Sequence, residues 1–402
     1  MKKLFFSSLA LLFFGGEISA QSISVPDVYA APGQTVAFVV NLQNGKDNTY
    51  KALQFDAEFP NSGFTTTGAY TVSGSWAGVS ANIGNVNGEG VASIPFASEN
   101  LIQGANVNYL VSVSFKVDEA VEAGDYPVTL KNIFLGYNMN DKDFPAEVSF
   151  KVHVQSDVNV ILDENSPLAP QASGDAVDIK VFRTIKANTW STICLPFRMT
   201  NSQWKEVFGD DAEIRRFASY EKVDDAIAVK FGNALTSGAF IANRPYLIKT
   251  TKDISSFTVN STITVTAAKD EAYKELVSED DEEYVTLGYT QGIYQAGSLI
   301  PAKNLFMSNN KIFYSTGLTQ SQAFRASFWF KDVLPSYASG NSRILMVFDD
   351  SDVTAIKGIY DSPICDSQIY DLGGRKIANS KSVNSKLQRG LYIQNGKKII
   401  IK

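Results

Sequence analysis

The chain has 402 residues, with 36 Lys and Arg against 42 Asp and Glu, a formal net charge of −6, one histidine and two cysteines. That balance argues against nucleic acid or anionic lipid as a partner. A single histidine leaves little material for most metal and acid–base centres, and Cys194 and Cys365 stand so far apart that cores, not disulfides, must hold the fold.

Met1-Lys2-Lys3, an apolar run from Leu4 to Phe14, and Gly15 to Ala20 follow the charged, apolar and small-residue order of a removable secretory signal. Residues 1–20 are therefore expected to be a signal peptide. The run is shorter than the about 20 residues a bilayer span takes, no cysteine follows Ala20 for lipid attachment, and no later stretch is long and apolar enough to cross. Loss of Lys2, Lys3 and Glu17 moves the net charge from −6 to −7.

Residues 21–154 read as strands. Val36, Phe38, Val40 and Leu42 share one face; Leu53, Phe55, Ala57 and Phe59 share another, with Gln54, Asp56 and Glu58 turned to water. Similar alternation recurs at Val111 to Val117, Tyr126 to Leu130 and Val148 to Val154, and Pro32-Gly33, Asn61-Ser62-Gly63 and Ala123-Gly124 supply the turns. The expected fold class is all-β, beginning with a β-sandwich or barrel. The run from Ala31-Pro32-Gly33-Gln34-Thr35-Val36, with Leu53 to Phe59, Val113 to Val117 and Ala123-Gly124-Asp125-Tyr126-Pro127-Val128, resembles a cohesin-type module, a nine-stranded jelly roll related to carbohydrate-binding domains.

Residues 155–175, with Pro167, Pro170 and Gly174 among polar residues, are expected to be a linker or irregular crossing. A second β-rich domain is expected over 176–350. Ile214, Arg216, Ala218 and Tyr220 alternate against Arg215, Phe217 and Ser219, and Phe324, Ala326, Phe328 and Phe330 against Arg325, Ser327 and Trp329. One short helix is expected where Thr200 and Gln203 have capping-box spacing, Trp204, Val207 and Phe208 form an apolar patch, and Gly209 can take the left-handed position at its end. The phrases Asn188 to Phe197, Arg244 to Lys249 and Ala323 to Phe328 resemble a β-rich module of large surface proteins in anaerobic Gram-negative gut and oral bacteria.

Residues 353–402 read as a small β-sandwich-like unit with two-residue turns at Gly373-Gly374 and Asn395-Gly396. Tyr370-Asp371-Leu372-Gly373-Gly374-Arg375, Gly390-Leu391-Tyr392-Ile393 and the basic apolar tail resemble the C-terminal sorting domain of the type IX secretion system. That resemblance implies contact with the secretion machinery and delivery to the outer surface of a Gram-negative cell.

Candidate chemistry is sparse. His153, in Val152-His153-Val154, falls on the polar face with Lys151 and Ser149, and no nucleophile-elbow pattern is present to give it a serine. Glycoside hydrolysis needs two carboxylates at a set separation, but most acidic residues lie in hydrophilic runs, densest from Ser278 to Glu283. Asn138, Asn140, Asp141 and Asp143 offer alternating oxygens for calcium but lack the Gly and terminal Glu of an EF-hand loop; no other cofactor is expected. Tyr70 and Trp76 lie outside the strict alternation among small residues that can hold them open as sugar-stacking platforms. The expected function is that of a secreted or cell-surface, non-enzymatic binding or adhesion protein engaging polysaccharide through the cohesin-like domain. The alternative is a scaffold that holds another surface protein, and the third reading is a polysaccharide hydrolase.

Overall fold

The computed structural model describes residues 21–47, 49–60, 63–136, 142–223, 226–265, 269–278, 283–333 and 343–348, and four short strands beyond residue 367. Residues 1–20, and with them the expected signal peptide, lie outside the described residues. The chain divides into two compact units, Met1–Phe348 and Asp349–Lys402. Its architecture is all-β, with one helix among the described residues, and no described helix is long and apolar enough to cross a membrane.

The first part of the larger unit comprises β1 (Ser22–Ser24), β2 (Val28–Ala30), β3 (Thr35–Gln43), β4 (Ala52–Glu58), β5 (Phe64–Val72), β6 (Ser80–Ala81), β7 (Val91–Ala97), β8 (Val107–Val117), β9 (Gly124–Gly136), β10 (Lys142–Asp143) and β11 (Val148–Val154). They form two sheets, β1-β3-β8-β5 and β2-β11-β9-β4-β7-β6, with β10 attached to β9. All pairs are antiparallel except β2 with β11. Alternation drives them together: Phe38 of β3 meets Phe55, Phe115 and Phe150 at ring separations of 6.1, 6.2 and 5.3 Å, so both sheets share one core. Each such ring, removed from water, contributes about 2–3 kcal/mol.

Two local backbone features shape the larger sheet. Gly90 has φ +81°, and a Cβ there would sit 2.5 Å from the Phe59 carbonyl, whose own N–H donates to Gly90 O at 2.8 Å, so only glycine fits. Asn132, at φ +51°, lies where the β4–β9 register shifts, the left-handed position a bulge needs.

The second part holds β12 (Val160–Asp163), β13 (Val177–Ile185), β14 (Ser191–Ile193), α1 (Asn201–Phe208), β15 (Glu213–Arg215), β16 (Phe217–Val223), β17 (Ala226–Phe231), β18 (Tyr246–Lys249), β19 (Ile254–Ser261), β20 (Lys269–Ser278), β21 (Glu283–Ile293), β22 (Leu305–Ser308), β23 (Lys311–Tyr314), β24 (Arg325–Phe330) and β25 (Arg343–Phe348). Four small sheets, β12-β13-β19, β14-β18-β15, β16-β17-β25 and β20-β21-β24-β22-β23, surround two clusters of buried apolar residues.

The helix begins as read. Thr200 accepts from Gln203 N while the Gln203 side chain accepts from Thr200 N, and Trp204 and Phe208 are buried. Gly209 has φ +99° with ψ 152°, outside the left-handed helical well but at a positive φ that glycine adopts most readily. Two expectations need correction. Residues 155–175 carry β12, which pairs in parallel with β13, because Val158, Ile161 and Leu162 are apolar enough to be buried. The alternation from Ile214 to Tyr220 is two strands in different sheets: Ile214 and Phe217 are both buried, and the face switches at Arg216.

The smaller unit contains β26 (Gln368–Tyr370), β27 (Lys376–Asn379), β28 (Gly390–Gln394) and β29 (Lys397–Ile401), in the order β27-β26-β28-β29 with antiparallel pairs. Gly373-Gly374, Asn395-Gly396 and Cys365 lie outside the described residues.

Candidate interaction surfaces of the sandwich

The two outer faces of the sandwich have opposite fates. On the four-stranded sheet the outward side chains of Ala37, Val39, Ser112 and Ser114 are buried, at 6, 6, 1 and 2% exposure. The second part of the same chain approaches this side. Gln34 of the Pro32-Gly33 turn donates from Nε2 to Ile161 O at 2.7 Å and accepts from Ile161 N at 3.0 Å, and Gln320 Nε2 donates to Asn108 O at 3.1 Å. At the edge of the larger sheet, Tyr29 of β2 packs tilted against Phe182 with ring centroids 4.3 Å apart, beside a small cluster of Ala31, Val158 and Ile161.

A cleft of about 1040 Å³ remains between them. Asp27, Glu119 and Asp163 line it, and among the described residues no Lys, Arg or His does. Burial pushes the Asp163 carboxyl up to about 6, with the Glu164 charge adding to the rise and hydrogen bonds from Asn165 opposing it. Tyr109 and Phe324, from the two parts, both line this cleft and both have positive φ, +53° and +59°, a conformation strained for aromatic residues.

Across β4, β7 and β9 the larger sheet is open on its outer side. Gln54, Asp56 and Glu58 of β4, Ser93 of β7, and Thr129 and Lys131 of β9 line up across the ladder, half-buried or exposed. Lys131 pairs with Glu58, and Asn132 Nδ2 donates to Asp56 Oδ2 at 2.7 Å. At one end His153 lies between two carboxylates, Nδ1 at 2.6 Å from Asp125 Oδ1 and Nε2 at 3.3 Å from Asp27 Oδ2, with its ring 4.8 Å from that of Tyr29. Its side chain is only 20% exposed, so the expected free position on a polar face becomes a clamped one. The hydrogen bonds from His153 and then Lys151 hold Asp125 below the usual carboxylate range.

The small residues around the aromatic pair do not hold both rings open. Trp76 is 1% exposed and donates from Nε1 to Asn100 O at 3.1 Å; its small neighbours let the indole turn inward instead of holding it open. Tyr70 is half-buried, edge-on to Phe96 at 5.8 Å.

Of the calcium candidates, Asn138, Asn140 and Asp141 lie outside the described residues. Asp143 accepts from Lys46 at 2.8 Å and from the Tyr50 hydroxyl at 2.5 Å; burial works to raise it, and these two donors outweigh that and hold it low. Among the described residues no three His, Cys, Asp or Glu gather as a metal site would need. Cys194 is buried, its Sγ 3.4 Å from the Tyr294 hydroxyl. Residues 279–282 of the acidic run lie outside the described residues.

One cluster escaped sequence reasoning. Arg183 is fully buried and gives Nη1 to Glu164 Oε2 at 3.2 Å, and Nη2 to Ser191 Oγ and Thr192 O at 2.9 and 2.8 Å. Arg325 reaches the same Glu164 oxygen at 3.1 Å. A signal existed: Val177, Ile179, Val181, Arg183 and Ile185 alternate on one face of β13, so a cation stands in an apolar row.

No family model matches the chain, and no curated protein matches it. Among solved structures it is similar to a type I cohesin–dockerin complex from Clostridium thermocellum, at 18% identity over 34% of this chain and 99% of that one, with a TM-score of 0.29. A non-cellulosomal cohesin from Archaeoglobus fulgidus matches at 15% identity over 34% and 93%, TM-score 0.27. The cohesin module of a family 33 glycoside hydrolase from Clostridium perfringens matches at 14% over 34% and 96%, TM-score 0.29.

Proposed function

We propose that this is an exported, non-enzymatic scaffolding protein, whose cohesin-like N-terminal sandwich holds a partner protein on the outer face of its larger sheet. The observation that carries the reading is the asymmetry of the two faces. The outer side of β3 and β8 is covered by the same chain, whereas that of β4, β7 and β9 is open, polar and of mixed charge. A face fixed by a hydrogen-bonded ladder loses little freedom on binding, and its charges give a partner register and specificity. The signal-like residues 1–20 and the sorting-like residues 353–402 support two successive membrane crossings, the second by the type IX machinery, ending at the cell surface. Polysaccharide binding through Tyr70 and Trp76 has no support in their burial.

The test is a pull-down from the parent cell's surface fraction with the wild-type chain and with an Asp56→Lys, Lys131→Glu double variant. The expected result is a stoichiometric protein recovered by the wild type and lost with the variant, both melting at the same temperature. Recovery of no such protein, or equal recovery by both baits, overturns the proposal.

A further inference from the structure

The second part of the larger unit holds more positive charge than its nearby carboxylate balances, directly beneath a pocket. Glu164, 6% exposed at its side chain, faces two guanidiniums: Arg183, fully buried, and Arg325, 25% exposed. No other carboxylate pairs with either arginine among the described residues. Burial first, and then the Arg325 charge, pull Arg183 down to about 9, against the support of Glu164. Cations out of water are costly unless paired.

A pocket of about 470 Å³ opens onto this cluster, with Glu164 and Arg325 in its wall and Lys186 at its rim. Lys186 is exposed and has no ion pair among the described residues. Arg325 spends only Nη2, on Glu164 and Gln322; its Nη1 and Nε have no hydrogen-bond partner among the described residues. Arg183 Nε is buried and equally without one. The rest of the wall is rich in hydroxyls and amides, including Ser191, Thr319, Gln320 and Ser321, beside the aromatic Trp190 and Phe306.

We propose that this pocket binds the carboxylate of an acidic sugar residue, with a free N–H of Arg325 as the donor and Lys186 as the outer charge. A free guanidinium N–H gives a carboxylate a charge-assisted hydrogen bond about twice as strong as a neutral one, and the surrounding hydroxyls and amides match the alcohols of a sugar ring. An acidic peptide offers the carboxylate without those alcohols. The site lies apart from the open sheet face, so its failure leaves the scaffolding proposal standing.

Calorimetric titration of the full chain with trigalacturonate, a hyaluronan tetrasaccharide and sialyllactose tests this, beside neutral galactotriose and N-acetyl-triaspartate. At least one acidic sugar is expected to bind, with galactotriose and the peptide weaker by about tenfold or more, the size of a charge-assisted pair. Arg325→Gln is expected to lose about tenfold, exposed Lys186→Gln about threefold, and the exposed Lys252→Gln, outside the pocket, nothing. A melting curve for each variant separates misfolding from lost binding, and Lys186→Gln decides the matter if Arg325→Gln fails to fold. Binding of none of the acidic sugars, equal binding of galactotriose, tighter binding of the peptide, or no effect of Lys186→Gln overturns the proposal.

Discussion

Asp163 and Glu164 are neighbours in the chain and face opposite ways, Asp163 into the acidic cleft beside the sandwich and Glu164 into the pocket that holds Arg325. Successive side chains at the end of a strand point to opposite sides, so one peptide bond separates two sites of opposite charge. Among the described residues, only Glu164 of the two has a cation to pair with.

Asp163 should therefore weaken the fold at neutral pH. Its folded value, about 6, lies above its ordinary one, so between the two the folded chain binds the extra proton and stability falls as pH rises. The charge that faces it is that of Glu164, and the Tyr109 hydroxyl, which both carboxylates push further up, stays neutral. Asp163→Asn is expected to stabilise the larger unit by about 2–3 kcal/mol at pH 7.5, and the gain should vanish near pH 4. Urea denaturation at both values checks this; a gain that persists at low pH contradicts it.

Glu164→Gln should act in the other direction. It leaves two guanidiniums facing each other without an anion, and removing one partner of a buried pair costs about 3–5 kcal/mol. The loss is measured as a shift of the urea midpoint, and a loss below about 1 kcal/mol, the worth of an exposed pair, would show that the cluster is hydrated.

The two aromatic candidates should separate cleanly by stability. Trp76→Ala empties a fully buried site and is expected to cost about 3–5 kcal/mol. Tyr70→Ala, half-buried beside Phe96, should cost about 1–2 kcal/mol. Neither change is expected to alter retention on insoluble glycans once the folded fraction is accounted for.

Removal of residues 353–402 should change the address of the chain and leave its fold intact. Cell fractionation is expected to find the truncated chain in the periplasm and the full chain at the surface or in the medium. Equal surface delivery of both counts against the sorting role.

Much of this architecture was legible because its causes are local. The period-two rows of β3 and β4 announce a shared core, and Thr200 with Gln203 marks the start of the helix to the residue. The Glu164 cluster was not legible in the same way. Its members are 19 and 161 residues apart, and Glu164 lies in a stretch whose prolines and polar residues read as a tether. Arg183 in an apolar row was the one local sign. Trp76 misled for the opposite reason: glycine, serine and alanine neighbours permit exposure, but they equally permit a large ring to fold inward and cover the edge of a core.

The Gln34 amide, spent at both ends on Ile161, makes the N-terminal sandwich a poor cassette. Cutting the chain after residue 154 would strand that amide, bare Tyr29 and Ala31, and uncover a row of small side chains on β3 and β8. A piece meant to be moved or grafted should run through β12, and the seam, not the last strand of the sandwich, is where this module ends.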